Sequence, residues 1–195
     1  MAHPDDAELW AGGTLALHAR AGATVTAAIP RANEIRDREA AAGAKALGVL
    51  LRLLDELTVS AVRDLLTELC PDVVVTHNPD DIHPEHQKTA QTVLTALSAV
   101  VIATGHPRRV YTCDGYNNLH RDGHPLHLPV IVDVTSTWDT KMRALAVHAS
   151  QPIASHFAPM AETLARLHGH RIGVRYAEGF SCVPVLGRLP GTPHL

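Results

Sequence analysis

His3, Asp5 and Asp6 stand in Met-Ala-His-Pro-Asp-Asp-Ala-Glu at the start of the chain, and His83 and His86 stand in His-Pro-Glu-His farther on. Together they offer two imidazoles and a carboxylate for a divalent cation, with one carboxylate and one imidazole left over for moving protons. Catalytic zinc takes three protein ligands of N or O type and keeps a fourth position for water. The ion lowers the pKa of that water until it is a usable nucleophile near neutral pH. The residue types therefore point to metal-activated hydrolysis. Each cluster alone has an ordinary structural explanation. Asp5 and Asp6 could cap a helix, and His83-Pro84-Glu85 could be a helix start with proline at its first position. What favours the metal reading is the pair of clusters: both fall at strand-to-helix turns, and their side chains complement one another as a ligand set.

Those residues need elements to hold them. Short apolar runs rich in β-branched residues alternate with amphipathic stretches. Strands are expected over 24–29, 49–54, 72–76, 109–113 and 129–134, and helices over 12–21, 34–47, 60–69, 84–100, 137–149 and 154–168. This alternation implies an α/β protein, a three-layer Rossmann-like fold with a mostly parallel sheet covered on both faces. In such folds ligands bind beyond the carboxyl ends of the strands. His83 and His86 follow the 72–76 strand across a short polar loop, as that rule asks. Only Met1 and Ala2 precede His3, so the first strand is expected to be truncated. There is no internal repeat or linker, and the expectation is one domain over residues 1–195.

The remaining composition mainly excludes. The formal net charge is −3, and lysine and arginine are scattered, which argues against a nucleic-acid partner. No apolar stretch approaches the length of a membrane span. The first residues carry two aspartates and a glutamate where a signal peptide needs an apolar core. Cys70, Cys113 and Cys182 are far apart and odd in number, which fits a reducing cytoplasm better than a disulfide framework. The alanine, arginine and proline content suggests a GC-rich bacterial gene. Gly12-Gly13 is not a G-x-G-x-x-G fingerprint, so a nucleotide-binding reading is weak.

Ala2-His-Pro-Asp-Asp-Ala-Glu8 followed by Gly12-Gly-Thr14 resembles the signature of the LmbE-like (PIG-L) de-N-acetylases, zinc-dependent enzymes that remove an acetyl group from an N-acetylglucosamine unit. Arg36-x-x-Glu39, Ala46-Leu-Gly48, Pro71-Asp-Val-Val74, Asp81-x-His-Pro-Glu-His86, Val132-Asp133, Lys141-x-x-Ala-Leu145, His148-x-Ser-Gln151 and Tyr176-Ala-Glu178-x-Phe180 resemble later blocks of the family, in the right order. The second metal motif more often reads His-Pro-Asp-His. The segment between Leu54 and Thr58 is shorter than the family leads one to expect.

The resemblance implies that His3, Asp6 and His86 hold Zn²⁺, with other divalent metals able to compete. Asp5 would be the general base, and it cannot readily join Asp6 as a ligand because adjacent side chains diverge. His83 would stabilise the oxyanion as a hydrogen-bond donor. Either Asp5 or His83 could protonate the leaving amine. Arg36 is a candidate contact for substrate oxygens, with an ion pair to Glu39 as its alternative. Tyr116 and Asn117, in the polar stretch 114–128, suit a substrate lid, and His148 is expected to help shape the pocket floor. Glu8 is expected to hold the Gly12-Gly13 stretch or a ligand, and Lys141 to pair with Asp133. The expected partner is a small N-acetylated amino sugar or glycoside. Deacylation of another N-acyl intermediate of secondary metabolism and a non-catalytic zinc-binding relative stand as alternatives. Relatives often form homo-oligomers.

Overall fold

Six α-helices and six β-strands make up the computed structural model, which describes residues 1–189, and they alternate from α1 to β4. In order they are α1 (Asp6–Arg20), β1 (Thr26–Pro30), α2 (Glu34–Leu47), β2 (Leu50–Leu54), α3 (Val59–Leu69), β3 (Val73–Thr76), α4 (Pro84–Thr104), β4 (Arg109–Cys113), β5 (Val130–Asp133), α5 (Trp138–Ala146), α6 (Ala158–Ile172) and β6 (Ala177–Cys182). The α/β class expected from the alternation is what the chain adopts. Parallel pairing, however, is confined to β1 with β2 and β3 with β4. The strands form a pair, β1-β2, and a four-stranded sheet of order β3-β4-β6-β5, in which β6 runs antiparallel to both neighbours.

β6 has no strand signature in the sequence. Its Ala-Glu-Gly-Phe-Ser-Cys run lacks alternation and β-branched residues. Its conformation comes from its partners: Tyr111 faces Cys182 on one side and Val130 faces Phe180 on the other. Sheet context overrides weak local preference here.

Local chemistry explains the helix ends. Asn33 accepts from the amides of Ile35 and Arg36 to start α2, which stops at Gly48 in the left-handed region at φ 76°. α4 begins with Pro84 at its first turn, and the His83 ring accepts from the Glu85 amide as a cap. α1 starts six residues earlier than the apolar pattern suggests, at Asp6, and carries Gly12 and Gly13 in its interior. A Cβ on Gly13 would lie 2.6 Å from Val134 Cβ, so glycine is what lets α1 approach the chain just after β5.

The Gly13 and Thr14 amides also donate to Glu178 Oε1 and Oε2 at 2.9 and 2.8 Å. Lys141 Nζ donates to Glu178 Oε1 at 2.7 Å, and both side chains are buried. Two expectations are corrected by this cluster. Glu178 on β6, not Glu8, holds the glycine stretch, and Lys141 pairs with Glu178 rather than Asp133, whose carboxylate accepts from the Thr135 amide.

Residues 1–5 form no strand. The Met1 amine donates to the Ala28 carbonyl of β1 at 2.7 Å, and the Ala2 amide donates to Nε2 of His77, just past β3, at 3.0 Å. The chain start is thereby tied to both sheets. Leu9 and Trp10 of α1 pack with Val134, Trp138, Leu145, Leu164 and Phe180 in one core, while α3 and α4 close on Val110 of β4 in another. No helix among the described residues is long and apolar enough to cross a membrane.

Lys141→Met leaves Glu178 buried without its cation, and urea unfolding is expected to show a loss of about 3–5 kcal/mol. A loss under about 1 kcal/mol would mean that the two backbone amides satisfy Glu178 unaided.

Candidate metal centre

Asp6 is the first residue of α1 and its carboxylate is buried. Four groups surround it. Its Oδ2 lies 3.1 Å from His3 Nδ1 and accepts from the His3 amide at 2.7 Å. The same oxygen lies 3.1 Å from His77 Nε2. Its Oδ1 accepts from Trp10 Nε1 at 3.2 Å and lies 3.4 Å from His86 Nε2. Burial alone would raise the Asp6 pKa, but the three imidazoles hold it well below the usual carboxylate range.

His86, on the first turn of α4, has no solvent exposure. Its Nδ1 lies 3.0 Å from Asp81 Oδ2, a geometry in which the ring donates to the carboxylate. His3 is placed the same way through its other nitrogen: Nε2 meets Glu85 Oε2 at 2.5 Å. With both outer nitrogens donating, His3 Nδ1 and His86 Nε2 turn lone pairs toward each other, 3.3 Å apart, and toward the Asp6 carboxylate. Three acceptors thus converge on one point. Their ligand atoms all lie within 4.8 Å of one another.

This donor set suits a cation. A carboxylate or carbonyl behind each ligating imidazole is the usual way a metal-binding histidine is oriented. The 3.3 Å between His3 Nδ1 and His86 Nε2 matches the edge of a tetrahedron, about 3.3 Å for metal–ligand bonds of 2.0–2.1 Å, and Asp6 brings one oxygen near each ring, Oδ2 at 3.1 Å from His3 and Oδ1 at 3.4 Å from His86. Burial lowers the His86 pKa, but Asp6 and Asp81 outweigh it and raise it to about 9. His3 is likewise raised by Asp6 and Glu85 against the effect of burial. His77 behaves oppositely: burial takes it down to about 4, so it is neutral near pH 7.

Asp5 sits beside this cluster but faces elsewhere. Its Oδ1 accepts from Arg36 Nη2 at 2.8 Å, and its Oδ2 has no hydrogen-bond partner among the described residues. His83 stacks on His86 with centroids 4.6 Å apart and meets His3 edge-on at 5.0 Å. Its Nδ1 accepts from the Glu85 amide at 3.2 Å. Burial, with His86 and His3 nearby, lowers its pKa. The neutral ring therefore carries its hydrogen on Nε2, a donor without a positive charge.

Residues 1–97 match the family described as PIG-L: GlcNAc-PI de-N-acetylase. The chain belongs to the PIG-L (LmbE-like) family. Its fold is similar to that of N,N'-diacetylchitobiose deacetylase from Pyrococcus horikoshii, at 23% identity and a TM-score of 0.75, covering 93% of this chain and 81% of that one. It is also similar to GalB, the 4-carboxy-2-hydroxymuconate hydratase from Pseudomonas putida KT2440, at 22% identity and a TM-score of 0.79, covering 100% and 97%. The zinc-inhibited form of teicoplanin deacetylase Orf2 matches at 19% identity and a TM-score of 0.69, covering 93% and 97%. At such identities the likeness shows the architecture.

In this PIG-L domain the structure brings His3, Asp6 and His86 together, sets His83 and Tyr116 against His86, and holds the neighbouring Asp5 to Arg36. The Tyr116 ring lies nearly parallel to that of His86, with centroids 5.7 Å apart, and edge-on to Trp10 at 5.2 Å. Burial and the carboxylates of Asp6, Asp5 and Asp81 raise its pKa. Asn117 follows it on an exposed turn with φ 54°. The loop is fastened to the metal motif: Asp81 bridges His120, and the Arg121 amide donates to the Asp80 carbonyl at 2.9 Å.

Two expectations change. Arg36 pairs with Asp5 and not with Glu39, whose carboxylate accepts from the amide and hydroxyl of Ser150. His148 does not reach a pocket floor. It is fully buried 3.6 Å from Glu8, in a niche left by Gly43, where a Cβ would come within 3.0 Å of its Nε2. The sequence reading passed over His77, Asp81, Glu85 and Trp10. Asp81 had a signal, being a carboxylate just ahead of a ligand histidine in a single motif; His77 had none beyond its place after a strand.

Metal binding must displace protons from His86 and His3, since both are raised and a ligand imidazole must be neutral. Apparent zinc affinity is therefore expected to fall as pH drops below about 9, by about tenfold per pH unit for each proton displaced. Chelator competition across pH would check this, and a flat profile would remove His86 as a ligand. Asp81→Asn is expected to weaken zinc binding by about 10–100-fold, read in the same assay.

Proposed function

We propose that this PIG-L domain is a zinc-dependent amide hydrolase that removes the acetyl group from an N-acetylglucosamine-type amino sugar or glycoside. The observation that carries the reading is the convergence of three acceptors, on His3, Asp6 and His86, beside a separately held carboxylate on Asp5. Arg36 engages one oxygen of that second carboxylate, and the other has no hydrogen-bond partner among the described residues. The family description, a de-N-acetylase, supports the same reaction.

His3, Asp6 and His86 would hold the ion. Bound there, it would supply an acidified water and polarise the amide carbonyl. Arg36 fixes Oδ1 of Asp5, leaving Oδ2 to take the proton as water attacks. His83 donates from Nε2 to the oxygen on which negative charge develops. Because its Nδ1 is engaged by the Glu85 amide, the ring is held with that donor outward. The proton on Asp5 is then positioned to pass to the leaving amine, with water-mediated delivery from His83 the other route. Tyr116 offers a face for a sugar ring, and Asn117 offers an exposed amide beside it. Free Cys70, Cys113 and Cys182 support a cytoplasmic setting.

GalB, a hydratase, shares this fold over the whole chain. Fold alone therefore does not choose the reaction, and the test must. Zinc-loaded protein is expected to release acetate from N-acetylglucosamine derivatives. Asp5→Asn is expected to lower kcat by about 10²–10⁴-fold, with zinc content unchanged by elemental analysis. Substantial residual turnover would remove Asp5 as the base. A zinc-loaded wild type that releases no acyl group, yet hydrates an unsaturated carboxylic acid, would replace the hydrolase reading with the hydratase one.

A further inference from the structure

Tyr116 covers the cluster from a turn that is intrinsically unfavourable. Asn117 and Asn118 are consecutive left-handed residues, at φ 54° and 58°. Asparagine tolerates that region better than other residues with a side chain, but two in succession persist only where the surroundings over-determine them. What over-determines them is Asp114, buried at the end of β4. Its Oδ1 accepts from the Gly115 amide at 2.8 Å and from Asn118 Nδ2 at 2.9 Å, on either side of Tyr116.

Asp114 is in turn held from below. His168 of α6, 1% exposed, lies with Nε2 2.6 Å from Asp114 Oδ2. Arg171, at the surface one turn later, places Nη1 3.3 Å from His168 Nδ1. A guanidinium has only hydrogens to give, so Nδ1 must accept and Nε2 must donate to Asp114. The His168 ring fits because residue 179 is glycine; a Cβ there would lie 2.9 Å from His168 Cε1. The turn also lies against the metal motif, since a Cβ on Gly115 would meet Asp81 Oδ2 at 3.0 Å. Between Trp10, Asp114, Lys141, His168 and Glu178 there is a cavity of only about 20 Å³, room for about one water.

We propose that His168, oriented by Arg171, is a positioning residue for Tyr116: through Asp114 it fixes the turn that sets the aromatic cover over His86 and His83, and so the shape of the substrate pocket. His168, Arg171 and Asp114 share no hydrogen bond or ion pair with His3, Asp6 or His86. Describing Tyr116 as the cover of a catalytic pocket rests on the deacetylase reading; the placement of the ring does not.

The two can be tested apart. Trp10 and Trp138 are the two tryptophans of the chain, and Trp138→Phe leaves Trp10, edge-on to Tyr116, as the single reporter. In that background His168→Leu is expected to red-shift Trp10 emission as Tyr116→Ala does, and the double variant to add nothing further. His168→Gln, whose amide can donate to Asp114, is expected to restore the parent spectrum with zinc stoichiometry retained throughout. In the wild-type background His168→Leu is expected to lower kcat/KM by about 10–100-fold through misplacement of Tyr116, mainly in KM. Unchanged Trp10 emission in His168→Leu, or a shift that adds to that of Tyr116→Ala, would overturn the proposal. Should His168→Leu fail to fold, Arg171→Met decides: a red shift in the same direction supports it, and no shift overturns it. Loss of the deacetylase reading alone would leave the emission results standing and remove the kinetic ones.

Discussion

A carboxylate buried among imidazoles is the constraint on which the site depends. Asp6 has been taken out of water at the first turn of α1, where the helix amides favour negative charge. That burial is tolerable only with positive charge or donors close by. Trp10 and the His3 amide supply two donors. His3 and His86 bring in either protons or a metal. Every element that fixes the geometry does so by placing one of these groups: α1 sets Asp6 and Trp10, α4 sets His86 and, through Glu85, the His3 ring, and the loop after β3 supplies His77 and the Asp81 that supports His86. His77, kept neutral by burial, receives the Ala2 amide and so anchors the segment that carries His3.

Two neighbouring aspartates are given different work by their surroundings, as pairs of carboxylates at functional sites commonly are. Asp6 faces imidazoles; Asp5, one residue earlier, faces the guanidinium of Arg36. The divergence of adjacent side chains makes this possible, and α2 makes it specific. Arg36, Glu39 and Gly43 lie on one face of α2 at a spacing of three and four residues. The first holds Asp5, the second holds Ser150, and the third gives way to Glu8 and His148. A single helix face thus locks the N-terminal motif to the 148–151 segment, which explains why an interior glycine, otherwise unfavourable in a helix, stands where it does.

Local signals were legible where local physics decides. α2 falls where its cap, alanine content and terminal glycine put it, and α4 starts at Pro84. The metal-type residues were legible because ligand chemistry restricts residue type. What could not be read was set by distant contacts. β6 is a strand because β4 and β5 flank it, and α1 runs through Gly12 and Gly13 because Val134 and Glu178 wait on the other side. Lys141 and Glu178 are 37 residues apart, so nothing in the sequence marks them as a pair. His148 looked like a pocket residue because it stands in a polar block; its burial depends on Gly43, more than a hundred positions earlier.

The same architecture serves a deacetylase and a hydratase among the solved structures, so the scaffold is common ground and the difference must lie in what surrounds the water. Both reactions begin with an activated water and a base. They diverge at the next atom: an amide carbonyl needs a donor where its oxyanion forms and a proton for the departing nitrogen, whereas hydration needs neither a leaving group nor an oxyanion at that place. Here His83 presents a neutral Nε2–H beside His3 and His86, fixed by the Glu85 amide behind it. One oxygen of Asp5 has no hydrogen-bond partner among the described residues. Acyl transfer requires a donor aimed where charge develops and a base able to return its proton, the roles our proposal gives to His83 and Asp5. On that proposal it is these two roles, more than the resemblance of the fold, that favour the amide over the alkene.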